Sequence, residues 1–241
     1  MSKIDFEKLI FLSSVQLNQL DAQGMPVGFA SGAMINYSNK HLLLTVSHAT
    51  GNNKNWAIQL KYVPGNGTLH HQLGTMNFLV EVTLDKPKFN DIDFSYVDIP
   101  ESIIAYRQEI EFPNKIKSEL PISTHQTNLT DIPCIEENYG FCGMILPTYE
   151  EHFGQKCVGG ELRTYQGLKY LRTEDDSHIF KLPFDHPGSK FFEGCSGAPI
   201  INEAGCIVGL LCEGCIETNE IYAISLSKYK IVIDIHVGNI K

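Results

Sequence analysis

The 241-residue sequence lacks an apolar run long enough to cross a membrane. A transmembrane helix needs about 20 consecutive, mostly apolar residues. The first ten residues, MSKIDFEKLI, carry charges where a secretory signal peptide has an uninterrupted apolar segment. We therefore expect no membrane partner and no secretory signal. Taking Met1 as the natural start, we expect a cytoplasmic location.

Basic residues are also scarce. The chain has 19 Lys and Arg against 28 Asp and Glu, which gives a formal net charge of −9, and the basic residues are scattered. A protein that binds nucleic acid or an anionic membrane surface needs a clustered cationic face. The composition argues against those partners and favours a protein or peptide partner, preferably one that is not acidic.

The chain also lacks the even number of cysteines that a complete disulfide framework requires. Seven cysteines in a chain without a secretory signal are expected to be mostly reduced thiols. Cys212 and Cys215 have the spacing of half a zinc site or of a redox pair. No second pair at ligand spacing follows, so we expect structural thiols and no metal.

Apolar and alternating runs, separated by Gly, Asn, Asp and Pro, dominate the chain. Residues 78–84 and 207–211 are examples, and they predict an all-β protein. Residues 112–133 are polar, contain three prolines and lack periodicity, which predicts a connection between domains at 1–115 and 116–241. Positions 229, 232, 233, 236 and 237 are spaced as one face of a helix, although their β-branched content also allows a strand.

Residues 193–200, Glu-Gly-Cys-Ser-Gly-Ala-Pro-Ile, make Ser196 a candidate nucleophile. Gly194 allows a turn in which its own N–H and that of Ser196 point at one spot, as in an oxyanion hole. Gly197 would leave space for a substrate carbonyl. Taken alone, the segment also fits an ordinary tight turn.

A serine hydroxyl needs a base, and the base needs a third group to orient it. His48 ends the apolar run of residues 41–48 and is the candidate base. Asp93 is the candidate third group, because Phe-Ser-Tyr-Val follows it in an apolar, small, apolar, apolar pattern. Asp91 is the alternative, but the pattern would then place the charged Asp93 at the position that needs a small buried residue.

These segments together resemble the trypsin-like serine peptidases, which have the chymotrypsin fold. The order His, Asp, Ser is the order of that family and differs from those of subtilisin-like and α/β-hydrolase enzymes. Residues 28–35 resemble the strand before the histidine strand, and residues 139–143 resemble the strand that opens the second barrel. The resemblance runs from about residue 10 to the C-terminus.

The resemblance implies an all-β fold of two antiparallel six-stranded β-barrels with a C-terminal helix. The first barrel would carry His48 and Asp93, and the second Ser196. It implies an endopeptidase with a catalytic Ser/His/Asp triad, an acyl-enzyme and no cofactor. Ser196 would be the nucleophile, with Gly194 and Ser196 as the oxyanion hole. The residues it implies for substrate binding are Lys190, near Ser189 at the pocket base, with Cys212, Glu213, Gly214 and Tyr222. The preference of the pocket stays open.

Two cysteines depart from the secreted digestive type of the family. Cys195 stands where those enzymes have the Asp that pairs with a new N-terminal amine, and no Arg/Lys-Ile-Val-Gly-Gly start is present. We therefore expect no activation by N-terminal cleavage. Cys212 stands where a Ser usually supports the triad Asp, and a thiol is a weaker donor.

Three alternatives stay open at this point. Cys195 itself could be the nucleophile, although it lies one residue before the expected position. The chain could also be a latent or inactive member of the fold that binds peptides or proteins, or it could need an activating protein partner.

Overall fold

Strands make up most of the protein, as the alternating apolar pattern predicts. The structure, a computed structural model, describes residues 5–51, 55–83, 88–111, 115–152 and 155–240. The strands are β1 (Val15–Leu20), β2 (Pro26–Tyr37), β3 (Lys40–Thr45), β4 (Trp56–Val63), β5 (Gly67–Gln72), β6 (Asn77–Thr83), β7 (Lys88–Asp98), β8 (Tyr106–Glu111), β9 (Lys115–Pro121), β10 (His125–Gln126), β11 (Tyr139–His152), β12 (Gln155–Glu174), β13 (Ser177–Lys181), β14 (Pro199–Asn202), β15 (Ile207–Cys215) and β16 (Glu220–Ser225). The helices are α1 (Phe6–Phe11), α2 (Ser47–Thr50), α3 (Leu226–Val237) and a 3-10 turn at Ser189–Phe192.

The first half of the chain forms one sheet in the order β5-β4-β1-β2-β3-β7-β6, with β10 paired in parallel to β2. We expected a closed six-stranded barrel here. Over the described residues the sheet instead ends at β5 and β6. No side chain of β5 is fully buried, and Val80 and Val82 of β6 are exposed, so over these residues both end strands keep an unpaired edge and a largely exposed face.

The second half forms a closed barrel in the order β11-β12-β13-β16-β15-β14, as expected. Its interior is rich in aromatic side chains. Tyr139, Phe141 and Phe180 are fully buried, and Tyr139 and Phe180 meet edge to face with ring centroids 5.2 Å apart. β14 and β15 form a hairpin, and β16 pairs with β15 so that Gly214 faces Ile221.

The polar segment predicted as a plain connection, residues 112–133, contains strand β9, which pairs with the preceding strand β8 to form a hairpin. Its outward side chains are mostly exposed and polar, which hides the strand periodicity. The guanidinium of the buried Arg107 attaches the hairpin to the start of the chain by donating to the carbonyls of Phe11 (3.2 Å) and Ser14 (2.7 Å). The hairpin spans the predicted boundary at residues 115 and 116, and that boundary stays a prediction.

One hydrophobic cluster joins the two halves. Ile35, Leu44 and Phe94 of the first sheet share it with residues of the second barrel and of α3. Phe94 stacks on Tyr229 with ring centroids 5.4 Å apart and an angle of 11°. α3 is the predicted C-terminal helix, and it ends at Gly238, whose N–H donates to the carbonyls of the last turn. The shared core fixes the cleft between the halves.

Phe94→Ala should remove a large part of this shared core. Because Phe94 is 1 % exposed, we expect the free energy of unfolding to fall by about 3–5 kcal/mol. Phe184→Ala is the control, since Phe184 is 36 % exposed and its truncation should cost about 1 kcal/mol or less. Urea unfolding followed by circular dichroism measures both. Equal losses in the two variants would contradict a core that spans both halves.

Candidate active site

His48 lies on a single turn, α2, directly after strand β3. The apolar strand ends at Thr45, and the chain then turns at the small polar residues that follow. The indole N–H of Trp56 donates to the carbonyl of Thr50 at 2.6 Å, and the Thr50 hydroxyl donates to the carbonyl of Val46 at 3.2 Å. These bonds hold the turn, and the His48 side chain is about half exposed in the cleft (48 %).

Asp93, and not Asp91, contacts His48. One carboxylate oxygen, Oδ2, lies 2.7 Å from Nδ1 of His48. The other, Oδ1, accepts the backbone N–H of His48 at 2.8 Å and the hydroxyl of Ser47 at 3.1 Å. Both oxygens are therefore engaged, which fixes the orientation of the carboxylate. Asp91 is exposed two positions earlier on β7.

Ser196 completes a chain of side-chain hydrogen bonds. Its Oγ lies 3.0 Å from Nε2 of His48. Because Nδ1 faces a carboxylate that can only accept, the neutral imidazole carries its proton on Nδ1. Nε2 is then free to accept the proton of the Ser196 hydroxyl. The three residues that the sequence motifs singled out meet at one point, although the chain separates them widely.

The electrostatics of the pair are those of a carboxylate that supports a base. Burial acts to raise the pKa of Asp93, but hydrogen bonds from His48 and Ser47 outweigh it and lower that pKa below its ordinary value. The pKa of His48 is raised, mainly by its hydrogen bond to Asp93, against the opposing effect of burial. The charge of Glu213 adds to the increase.

The loop before Ser196 presents two unused backbone donors. The N–H of Cys195 donates to the carbonyl of Phe192 at 2.8 Å. Gly194 and Ser196 flank Cys195. Within the described ranges, the backbone N–H groups of both residues have no acceptor. A Cβ at Gly194 would lie 2.7 Å from the carbonyl oxygen of Met144, so the turn requires glycine there.

Hydrogen bonds from both halves of the protein hold this loop. Ser31 of β2 donates its N–H to the carbonyl of Ser196 and its hydroxyl to the carbonyl of Gly194, each at 2.8 Å. From the second barrel, the carbonyl of Leu211 accepts the N–H of Gly197 at 2.8 Å. The loop that carries Ser196 is thus fixed against the sheet that carries His48.

Gly197 is needed for this contact. Its φ is +87°, and a Cβ there would lie 2.2 Å from both the carbonyl oxygen of Ser31 and Oγ1 of Thr45. The expectation that Gly197 leaves space for a substrate carbonyl is therefore corrected: the space is already filled by the first sheet. Glycine permits both the backbone angle and the close approach.

Cys195 points away from the cleft. It is fully buried, its Sγ donates to the carbonyl of Met144 at 3.2 Å, and burial raises the pKa of its thiol well above the ordinary value. The thiolate is the reactive form of cysteine, so this residue is a poor nucleophile. The alternative that Cys195 takes the place of Ser196 does not fit the structure.

A cavity of about 230 Å³ opens beside Ser196. Its lining residues are His186, Phe192, Glu193, Ser196, Leu211, Cys212, Glu213, Gly214 and Ile221. Cys212, Glu213 and Gly214 lie where the resemblance implies. The structure does not place Lys190 or Tyr222 there. Lys190 is exposed, and the Tyr222 backbone carbonyl accepts a weak bond from the Cys212 thiol on the neighbouring strand. The side chain of Ser189 lies outside the described part.

His186 is a lining residue that the sequence motifs did not indicate. It precedes Pro187 and Gly188 in a loop whose path the sequence pattern leaves undefined. The one signal for it is Gly214, because a Cβ at that position would lie 2.4 Å from Nε2 of His186. A glycine inside a strand can mark such a close approach. The sequence does not say which side chain approaches.

The described cysteines are free thiols. They are Cys134, Cys142, Cys195, Cys206, Cys212 and Cys215, while the side chain of Cys157 lies outside the described part. The thiol of Cys212 donates to the carbonyl of Tyr222, and that of Cys215 to the carboxylate of Glu217. Across the described ranges, no group of three or more His, Cys, Asp or Glu side chains could hold a metal ion.

Solved structures share this architecture. No family model and no curated protein sequence matches the chain. The serine endoprotease from Yersinia pestis is similar, with a TM-score of 0.54 and 13 % identity over 99 % of this chain and 68 % of that one. Human heparin binding protein has a TM-score of 0.57 and 11 % identity over 97 % and 94 % of the two chains. HL collagenase has a TM-score of 0.51 and 14 % identity over 97 % and 96 %.

The chain has the chymotrypsin fold. The predicted fold class, all-β with a C-terminal helix, is confirmed by these neighbours and by the strand order. The TM-scores establish the fold, whereas identities of 11–14 % say nothing about activity, which has to be argued from the site. Of the helices in the described ranges, none has the length and apolar character needed to cross a membrane.

Gly197→Ala tests how the serine loop is held. The new Cβ would meet the carbonyl oxygen of Ser31, and the backbone angle disfavours any side chain. Gly205→Ala is a matched control, since Gly205 has a φ of +82° and its Cβ would meet only Leu9, at 3.8 Å. We expect the control to lose about 1–2 kcal/mol from the backbone angle. Gly197→Ala should lose at least about 2 kcal/mol more from the clash.

Urea unfolding of the two variants beside the wild type measures this difference. Equal destabilisation by the two substitutions would show that the loop does not pack against Ser31 and Thr45 as described.

Proposed function

We propose that the protein is a serine endopeptidase that hydrolyses peptide bonds through an acyl-enzyme. The observation that carries the proposal is the continuous hydrogen-bond chain from Ser196 Oγ to His48 Nε2 (3.0 Å) and from His48 Nδ1 to Asp93 (2.7 Å). The arrangement supplies a nucleophile, a base within reach of its proton and a carboxylate that orients the base.

In the proposed reaction, Ser196 Oγ attacks the scissile carbonyl while His48 Nε2 takes the hydroxyl proton. The carbonyl oxygen gains negative charge and accepts the N–H groups of Gly194 and Ser196. His48 then gives the proton to the leaving amine, and the acyl-enzyme forms. Water, activated by the same imidazole, hydrolyses the ester. Asp93 keeps the imidazole in the required tautomer and stabilises the imidazolium.

The charge of the cleft favours a protein or peptide substrate over an anionic one. A second cavity, of about 600 Å³, extends from His48, and its acidic lining includes Glu81, Asp91, Asp176 and Glu213, with Lys228 as a cation. Such a surface repels phosphate and other anionic groups. This supports the expectation of a protein or peptide substrate and speaks against nucleic acid and anionic membranes as partners.

We further propose that no N-terminal cleavage activates the protein. The hydrogen bonds of Ser31 and Leu211 hold the loop of residues 194–197, and Cys195 takes the position where the digestive type has its pairing Asp. Free thiols at the described cysteines support a reducing compartment, and we propose the cytoplasm.

A latent or non-catalytic binding protein is the second candidate. The similar human heparin binding protein is named for binding and shares the fold. The thiol of Cys212, which donates to the Tyr222 carbonyl and not to Asp93, also leaves the Asp with less support than the family gives it. An activating partner would then be required for catalysis, or catalysis would be absent.

A fluorophosphonate probe distinguishes the two candidates, because it reacts with a serine that has an activated hydroxyl. We expect the hydroxyl of Ser196 to displace fluoride, so that the wild type gains the mass of one probe less HF, Ser196→Ala gains none, and Cys195→Ala stays reactive. Intact mass spectrometry of the three purified proteins gives the answer. An unlabelled, folded wild type would favour the latent or binding protein, and label retained in Ser196→Ala would place the reactive group elsewhere.

The pH dependence of labelling tests the role of His48. The base must be neutral to accept a proton, so reactivity is present at high pH and is lost as the pH falls through the raised pKa of His48. The midpoint should therefore lie above the ordinary imidazole value of about 6.5. Glu213→Gln removes a charge that raises this pKa, so the midpoint should move to lower pH.

Glu193→Gln is the matched control for Glu213→Gln. It also neutralises a carboxylate at the mouth of the cavity, but Glu193 is not among the groups that shift the pKa of His48. Its midpoint should stay at the wild-type position. Equal shifts in both variants would show a general charge effect and not the specific influence of Glu213.

A further inference from the structure

A hydrogen-bond donor without an acceptor lies in the wall of the cavity beside Ser196. Nε2 of His186 is covered from solvent, and no group in the described part of the chain accepts from it. An unsatisfied buried donor is unfavourable, because it has given up its hydrogen bonds to water and gained none in return. Such a group in a cavity next to the proposed nucleophile is a candidate contact for a substrate side chain.

The surroundings of the ring set its tautomer. The backbone N–H of Gly188 donates to Nδ1 of His186 at 3.1 Å, so Nδ1 carries no proton. The neutral ring therefore holds its proton on Nε2, and Nε2 is a donor. The ring also meets Phe192 edge to face, with centroids 5.3 Å apart. Nε2 rests against Gly214, which has no side chain to block a small rotation towards the cavity.

The rest of the cavity is apolar with an acidic mouth. Phe192, Leu211 and Ile221 provide apolar walls, while the carboxylates of Glu193 and Glu213 are exposed at the opening. A side chain that enters must therefore have an oxygen acceptor for the imidazole N–H. Such a side chain binds more tightly if it also has hydrogen-bond donors for the two carboxylates, and it should carry no negative charge of its own.

We propose that His186 selects substrates with a carboxamide side chain, glutamine above all, at P1, the residue whose carbonyl Ser196 attacks. The carboxamide oxygen accepts the Nε2–H of His186, and its NH₂ group faces the acidic mouth. A glutamate of the same shape would bring a third negative charge beside those of Glu193 and Glu213. Methionine fills a similar volume but leaves the donor unpaired. The inference rests on the proposed peptidase function.

The test compares three peptides that differ only in Gln, Glu or Met at P1. We expect kcat/KM for Gln to exceed that for Met and for Glu by at least about tenfold, because a site built around a hydrogen bond rejects analogues that lack it or mismatch it. In His186→Phe, which keeps an aromatic ring but has no donor, the Gln to Met ratio should fall to about one. The ratio is used because a general loss of activity lowers both kcat/KM values by the same factor and leaves their ratio unchanged.

His178→Phe is the matched control. His178 is a buried histidine whose Nε2, like that of His186, is covered and unpartnered among the described residues, but it lies on β13 away from the cavity. For His178→Phe, the ratio of kcat/KM for the Gln peptide to that for the Met peptide should equal the wild-type ratio. Cleavage without a preference for Gln, a preference for Glu over Gln, or a ratio that survives in His186→Phe would each overturn the inference and leave the peptidase function standing.

A binding measurement keeps the inference testable if no peptide is cleaved. Ser196→Ala protein is titrated by calorimetry with the same Gln and Met peptides. Tighter binding of the Gln peptide, lost in the Ser196→Ala, His186→Phe double variant, supports the selectivity even where catalysis fails. Equal binding of the two peptides overturns it. Failure of fluorophosphonate labelling, in contrast, contradicts the proposed catalysis alone.

Discussion

The site is assembled from two separate parts of the chain, and the hydrogen bonds of Ser31 join them. The histidine and the aspartate belong to the first sheet, and the serine to a loop of the second barrel. Ser31 donates to the carbonyls of both Gly194 and Ser196. Gly197 allows the close approach that these bonds need. If this contact opened, Ser196 and His48 would separate, however well each half kept its own fold.

In the secreted digestive type, the serine loop is held by an ion pair between an Asp and the new N-terminal amine. Here the hydrogen bonds of Ser31 can hold the loop instead. Cys195 is neutral and buried, and its thiol makes one weak bond to the carbonyl of Met144. A neutral hydrogen bond contributes about 0.5–1.5 kcal/mol, so the bonds of Ser31 and Leu211 together can hold a short loop. They form as the two halves pack, and they need no new chain terminus. The shared core around Phe94 and Tyr229 then sets the distance between the halves.

Much of the site could be predicted from the sequence, because the chemistry restricts it locally. Ser196 lies in a turn between Gly194 and Gly197, His48 closes the apolar run of residues 41–48, and Asp93 directly precedes the mostly apolar run of residues 94–97, so each has its own signal. The first sheet is less predictable, since its end strands have few buried side chains. His186 could not be found, because the loop that contains it, with Pro183 and Pro187 on either side, has no periodicity. Its contact with Gly214 joins positions far apart in sequence, and only the folded chain shows it.

The account depends most on the claim that the loop is already arranged to bind an oxyanion. The direct measurement is a crystal structure of the fluorophosphonate adduct on Ser196. We predict that the phosphonyl oxygen lies about 2.7–3.1 Å from the nitrogens of both Gly194 and Ser196, with the bonds of Ser31 intact. An adduct whose oxygen points to solvent, or a loop that has left Ser31 to reach it, would contradict the account.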